Sequence, residues 1–175
     1  MEPAGSVLLY DDHGWHQGPS AAVALAHKGV RLEVVTPDRM LAFEVGATNF
    51  PTYLRALYRS GATLTPDFEL RSVRREGNRL VASLWNEYAD ETVERVVDHV
   101  VVEHGTVRAD ELYHALKDGS RNGGAVDVEG LARGAPAEIV TNEAGGYLLY
   151  RVGDVVSSRN AHAAIYDALR LCKGL

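Results

Sequence analysis

The sequence predicts an α/β fold, a parallel sheet flanked by helices, with an inserted antiparallel hairpin or meander and a C-terminal strand-helix pair. Three observations predict it. The run Val7-Leu8-Leu9-Tyr10 is short, apolar and bounded by Asp11-Asp12 and Gly14, as a strand buried on both faces of a parallel sheet should be. An alanine-rich stretch and then a β-branched run follow it, together about 30 residues, the size of a right-handed strand-helix-strand crossover. Two runs with alternating side chains then flank the turn Glu76-Gly77-Asn78, the pattern of an antiparallel pair.

The elements follow in order. Pro19 or Ser20 opens the first helix, Ala21, Ala22, Ala24, Leu25 and Ala26 fill it with good helix formers, and Gly29 stands where a C-terminal glycine belongs. Small side chains let such a helix lie close on a sheet. Arg31-Leu32-Glu33-Val34-Val35-Thr36 is the second strand, closed by Pro37. A second helix is expected over residues 51–59, with Tyr53, Leu54, Leu57 and Tyr58 at helical spacing and Gly61 just beyond it. A short extended piece over residues 62–66 leads into the hairpin of residues 69–75 and 79–86. The run from Val96 to Val102 reads as one strand returning beside the first. Beyond it, residues 110–116 read as a short helix and residues 119–134 as a glycine-rich surface loop. Residues 146–154 read as a strand punctuated by glycine, and residues 160–171 as a helix with Ala164, Ile165, Ala168 and Leu169 on an apolar side.

Composition excludes several classes. With 175 residues, 46% hydrophobic and 24% charged, the chain has the make-up of a folded globular domain. A net charge of -6, with no clustered basic stretch, argues against a nucleic-acid partner. The single cysteine, Cys172, can form no internal disulfide and cannot supply a cluster of thiolates. Residues 1–6 lack the basic and apolar regions of a signal peptide, and read as an appended leader or a restart inside a longer gene, with a natural terminus left open. A cytoplasmic chain with no membrane span is expected.

The ordered combination of several stretches resembles one flavoprotein family. The stretch from Val7 to Ala21, with Val34-Val35-Thr36-Pro37 after it, is similar to the start of the nicotinamide-type domain of trimethylamine dehydrogenase-like flavoproteins. That group, old yellow enzyme-like in its wider sense, includes the 2,4-dienoyl-CoA reductases and the N-methylproline demethylases. Asp98-His99-Val100-Val101-Val102-Glu103-His104-Gly105 looks like the family strand that ends in Ala-Thr-Gly. Tyr150-Arg151-Val152-Gly153-Asp154 and Ser158-Arg159 look like its Ile-Gly-Asp and Pro-Arg elements. The resemblance implies a C-terminal nucleotide-binding region of such an enzyme. Residues 7–105 would be a degenerate nicotinamide-type, Rossmann-like domain, and residues 106–175 the C-terminal part of a flavin-type domain packed on the first. It also implies FMN and a 4Fe-4S cluster in the intact parent, neither held by this chain.

The candidate nucleotide-binding residues are Asp12, Gly14, Gly18, Ser20 and Asp154. A dinucleotide fingerprint needs glycines so that the backbone can turn tightly and approach a pyrophosphate resting on a helix N-terminus. Here the register is Asp12-x-Gly14-x-x-Gln17, with a carboxylate in the first glycine position and a long amide in the third. Both departures weaken a dinucleotide site. The acid that should meet the ribose is also displaced, because Thr36-Pro37 ends the second strand and Asp38 follows late. His13 and His16 have a spacing a metal could use, but a polar strand-to-helix loop accounts for them better. Glu103-His104 could be a catalytic pair or an exposed strand end. By resemblance Asp154 would orient a nucleotide; on its own it could cap the following helix. No catalytic residue and no metal ligand is assigned.

These readings lead to a degenerate module serving as scaffold or docking domain, with the redox chemistry elsewhere in the parent. Two alternatives stand beside it, a functional NAD(P)H- or ADP-binding domain and a protein-interaction module. The expected partner is the rest of the parent flavoprotein or a partner subunit. An uncovered strand at residues 147–152 would also favour a homodimer.

Overall fold

The computed structural model describes residues 5–134 and 138–173. The chain divides into two compact units, residues 1–105 and 106–175.

In the first unit four parallel strands form one sheet. They are β1 (Ser6–Asp11), β2 (Arg31–Val35), β3 (Thr63–Thr65) and β7 (His99–Glu103), in the order β3-β2-β1-β7. Helices α1 (Gln17–His27) and α2 (Phe50–Ser60) make the crossovers. Strands β4 (Glu69–Glu76), β5 (Arg79–Asn86) and β6 (Glu91–Val97) form a separate antiparallel meander. The α/β architecture expected from the sequence is therefore present, and the inserted element is the three-stranded form.

The two-residue period of β1 builds the layers. All six of its residues are buried. Val7 and Leu9 pack with Leu32 and Val34 against Ala22, Ala26 and Leu57 of the helices and against Leu41, Ala42 and Val45 of the loop after β2. Leu8 and Tyr10 face the other way and join Val35 with Ala82, Leu84 and Val97 of the meander. Ala22 and Ala26, four residues apart, are the small face that brings α1 close to the sheet.

The expected single strand from Val96 to Val102 is two strands. The chain leaves the meander at Val97 and enters the parallel sheet at His99. Asp98 makes the break: its carboxylate accepts from the Ser6 N–H at 2.7 Å and the Ser6 hydroxyl at 2.8 Å, and pairs with Arg79 at 3.0 Å. Gly5, at φ +81°, passes so close that a Cβ there would lie 2.3 Å from Asp98 Oδ2.

The second unit holds α3 (Glu111–Lys117), α4 (Val128–Arg133), a 3-10 turn (Gly153–Val155) and α5 (Ala161–Cys172). Helix α4 falls in the stretch expected to be a loop, started by Asp127, whose side chain accepts from the Gly130 N–H. The C-terminal strand expected before α5 takes the form of an extended segment with one isolated parallel bridge, Ser120 to Tyr147. The side chain of Asn122 stands in for a neighbouring strand. Its amide donates to the Leu149 carbonyl at 2.8 Å and its oxygen accepts from the Leu149 N–H at 2.9 Å. No helix among the described residues is long and apolar enough to cross a membrane.

Candidate functional site

In open parallel sheets a ligand binds at the carboxyl ends of the strands, where the strand order reverses. Here that point is the β1–α1 turn beside the end of β7, and its side chains close on one another. Asp11, the last residue of β1, is fully buried. Its Oδ1 accepts from the backbone N–H groups of His13 and Gly14, each at 3.1 Å. Its Oδ2 is buried with no hydrogen-bond partner. Burial is the main reason that the Asp11 carboxyl titrates above the ordinary value, and the Gly14 and His13 N–H groups oppose it. Gly18, in the first turn of α1, leaves room for this carboxylate, since a Cβ there would lie 2.1 Å from Oδ2.

Two acid-histidine pairs cross the gap between the strand ends. His13 Nδ1 meets Glu103 Oε1 at 3.1 Å, and the same oxygen accepts from the Gly105 N–H at 2.7 Å. Asp12 Oδ2 meets His104 Nδ1 at 2.8 Å. The His104 ring stands edge-on to Tyr10, with centroids 5.9 Å apart. Gly105 has φ +83° and lies against the His13 ring, which a Cβ would approach to 3.0 Å.

The loop after β2 covers the turn from the other side. Gly14, at φ +72°, accepts from the Glu44 N–H at 3.0 Å through its carbonyl. Asp38 Oδ2 would lie 3.3 Å from a Cβ on Gly14. Burial raises the Asp38 carboxyl, and the negative charges of Glu44 and Asp12 raise it further against Arg39.

The structure places the candidate residues as follows. The acid pressed against the helix is Asp11, and Asp12 is turned outward onto His104. Gly14 and Gly18 both belong to the turn. Ser20 lies away from it, with its hydroxyl 3.2 Å from the Tyr53 hydroxyl, which is 2.9 Å from His16 Nδ1. His13 and His16 therefore face different partners, and among the described residues no group of three His, Cys, Asp or Glu side chains converges as metal ligands. Asp154 belongs to the second unit, where it is exposed in the 3-10 turn. The cap of α5 is Asn160, whose Oδ1 accepts from the Ala163 N–H at 2.8 Å. Cys172 is exposed at the end of α5.

The second unit also carries two cavities. One of about 620 Å³ is lined by Val128, Leu131, Arg151, Val152, Arg159 and Leu171, among others. The other, of about 300 Å³, lies against Leu112, Tyr113, Leu116, Tyr150 and Val152. Arg151 stacks on the Tyr113 ring at 4.6 Å.

The parallel order β3-β2-β1-β7 and the closed turn define an open α/β module with its strand-end crevice filled by its own side chains. No family model matches the chain. It is 50% identical over 178 residues to the N,N-dimethylglycine/sarcosine dehydrogenase of Chromohalobacter salexigens, covering 99% of this chain and 26% of that protein. It is 44% identical to a probable N-methylproline demethylase of Rhizobium meliloti, with 99% and 26% covered. Among solved structures, histamine dehydrogenase from Rhizobium sp. 4-9 superposes with a TM-score of 0.69 at 15% identity, over 97% of this chain and 23% of that one. The chain spans about a quarter of the length of the curated relatives it matches. The resemblance read from the sequence holds: this chain is similar to a C-terminal region of trimethylamine dehydrogenase-like and N-methylproline demethylase-like proteins.

Proposed function

We propose that this chain is the degenerate dinucleotide-binding-type module of a cytoplasmic, flavin-dependent oxidoreductase related to the trimethylamine dehydrogenases, acting as scaffold and docking domain without catalysis of its own. One observation carries the reading: a buried carboxylate, Asp11, lies where the β1–α1 turn of a nucleotide-binding sheet would meet a pyrophosphate. A diphosphate brought to this place would meet a negative charge at contact distance, with Asp38 and Glu44 close behind. NADH, NADPH and ADP do not fit the turn. The names of the relatives point to a parent that oxidises an N-methylated amine. In that parent FMN would take the electrons and a 4Fe-4S cluster would relay them. Neither group is assigned to residues of this chain, which has one cysteine.

Docking is the task of the second unit. Leu112, Leu148, Ile165, Tyr166 and Leu169 are exposed there, and water is a poor cover for that much apolar surface. The rest of the parent polypeptide is the cover proposed, because the relatives are about four times as long as this chain. A second copy is the competing cover. Light scattering at tens of micromolar separates the two, a dimer mass counting for the second copy.

Isothermal titration of NADH, NADPH and ADP into the purified chain tests the central claim. No saturable heat is expected, and micromolar affinity for any of the three would reject it. Asp12→Gly should leave the result unchanged, since the Asp12 side chain is held by His104 outside the turn.

A further inference from the structure

We propose that the β1–α1 turn is self-ligated. Asp11 is an internal anion in the seat of a ligand oxyanion, and removing its side chain uncovers a binding site for pyrophosphate. The inference rests on the reading of this chain as a degenerate nucleotide-binding module and adds what occupies its vacated site.

The geometry supports it in three ways. Helix α1 has eleven residues, its N-cap residue His16 contributes no side-chain cap, and its first turn holds no acidic residue. Such an N-terminus carries partial positive charge and favours an anion. Second, the anion supplied is Asp11. It reaches back from the end of β1, takes the N–H groups of His13 and Gly14, and presses Oδ2 against Gly18. A phosphate oxygen in such a turn uses donors of the same kind, backbone N–H groups in a tight loop. Third, Oδ2 is fully buried and unpartnered beside the first turn of α1, a polar atom that no group of this chain satisfies. A side chain chosen only to fill space here would not be an acid.

Gly18 belongs to the same device. Any other residue at that position would push the carboxylate out of its seat. The surrounding charges set how strongly a replacement anion could bind. Asp12 and Glu103 are each paired with a histidine, whereas Asp38 and Glu44 remain beside Gly14 and oppose a second anion. Affinity in the uncovered seat should therefore be weak.

The test uses Asp11→Gly and Asp11→Asn in the full chain, with the thermal midpoint followed against inorganic pyrophosphate at constant ionic strength. Asp11→Gly should gain a saturable rise in midpoint, with apparent affinity at least about tenfold tighter than in the unsubstituted chain. Asp11→Asn keeps the bulk and should gain none, which separates an emptied seat from simple loss of charge. If Asp11→Gly does not fold in dilute buffer, pyrophosphate should restore its circular dichroism where sodium chloride of equal ionic strength does not. A folded Asp11→Gly chain indifferent to pyrophosphate, or an unfolded one that pyrophosphate does not restore, overturns the self-ligated turn. Either result leaves the scaffold reading standing, since that reading fails only if the unsubstituted chain binds a nucleotide.

Discussion

The two units of this chain are held together by different means. In residues 5–105 the sheet is buried on both faces, and Leu8, Leu9, Leu57 and Leu84 are completely enclosed. In the described residues after 105 no apolar side chain is fully buried, and the enclosed side chains are those of Ser120 and Asn122. The first unit draws on the apolar area it removes from water. The second draws on hydrogen bonds, whose net worth per bond is small but whose loss in a buried place is costly. The first kind encloses apolar side chains, whereas the second leaves Leu112, Ile165 and Leu169 exposed.

The largest expected effect sharpens this contrast. Leu9→Ala removes a completely buried side chain between β1 and the helices and should cost about 2–5 kcal/mol in urea unfolding. Leu112→Ala, at an exposed side chain of the second unit, should cost less than about 0.5 kcal/mol. Equal costs would break the comparison.

A smaller effect is expected from Asn122→Ala. The substitution deletes the amide that bonds the Leu149 N–H and carbonyl and the Ala125 carbonyl, leaving those backbone groups short of partners. About 1–3 kcal/mol should be lost, seen as faster amide exchange in residues 106–173 with the rates of the parallel sheet unchanged.

The smallest effect is a pH dependence confined to the first unit, with two opposite signs. Burial raises the Asp11 carboxyl, so its stabilising contribution is complete below the ordinary carboxylate value and is lost as pH rises through the folded value. Hydrogen bonds from Ser6, backbone first and then hydroxyl, lower the Asp98 carboxyl. Its contribution is present above the ordinary value and is lost as pH falls through the folded one. Urea midpoints of Asp11→Asn and Asp98→Asn against the unsubstituted chain, over about pH 3 to 8, should diverge in opposite directions.

Legibility in the sequence follows the same division. The elements of the first unit were readable because each rests on its own periodicity: the apolar run of β1, the alanines of α1 and the alternation around Glu76-Gly77-Asn78. The break at Asp98 was not, since Val96 to Val102 is nearly uniformly apolar and the cause is a contact with Ser6 at the other end of the unit. In the second unit the segment of residues 147–152 is held by the Asn122 amide at Leu149 and by one bridge from Ser120 to Tyr147, contacts that no local pattern announces. At the turn, two adjacent aspartates looked alike. Pairing of Asp11 with Glu103 at the end of the β1–β7 ladder buries the first and turns the second outward. The histidines at positions 13 and 104 were visible as residues, but their acid partners, some ninety positions away, were not.

The strand order has a consequence for how the chain is made. Within this unit the central strand β1 is synthesised before either of its neighbours, and the second of them, β7, is the last of the seven strands to be made. Ser6 and Asp98, which join the two, are 92 residues apart. At synthesis rates of about 5–20 residues per second, one edge of β1 waits several seconds for its partner, and Leu8 and Tyr10 wait nearly as long for the meander. Through that interval the nascent chain presents an open edge and half a core, the combination that invites pairing with a neighbour on the same polysome. Yield on overexpression is thus governed by how quickly residues 69–103 follow, and slow codons within that stretch should lower it more than slow codons anywhere after residue 105.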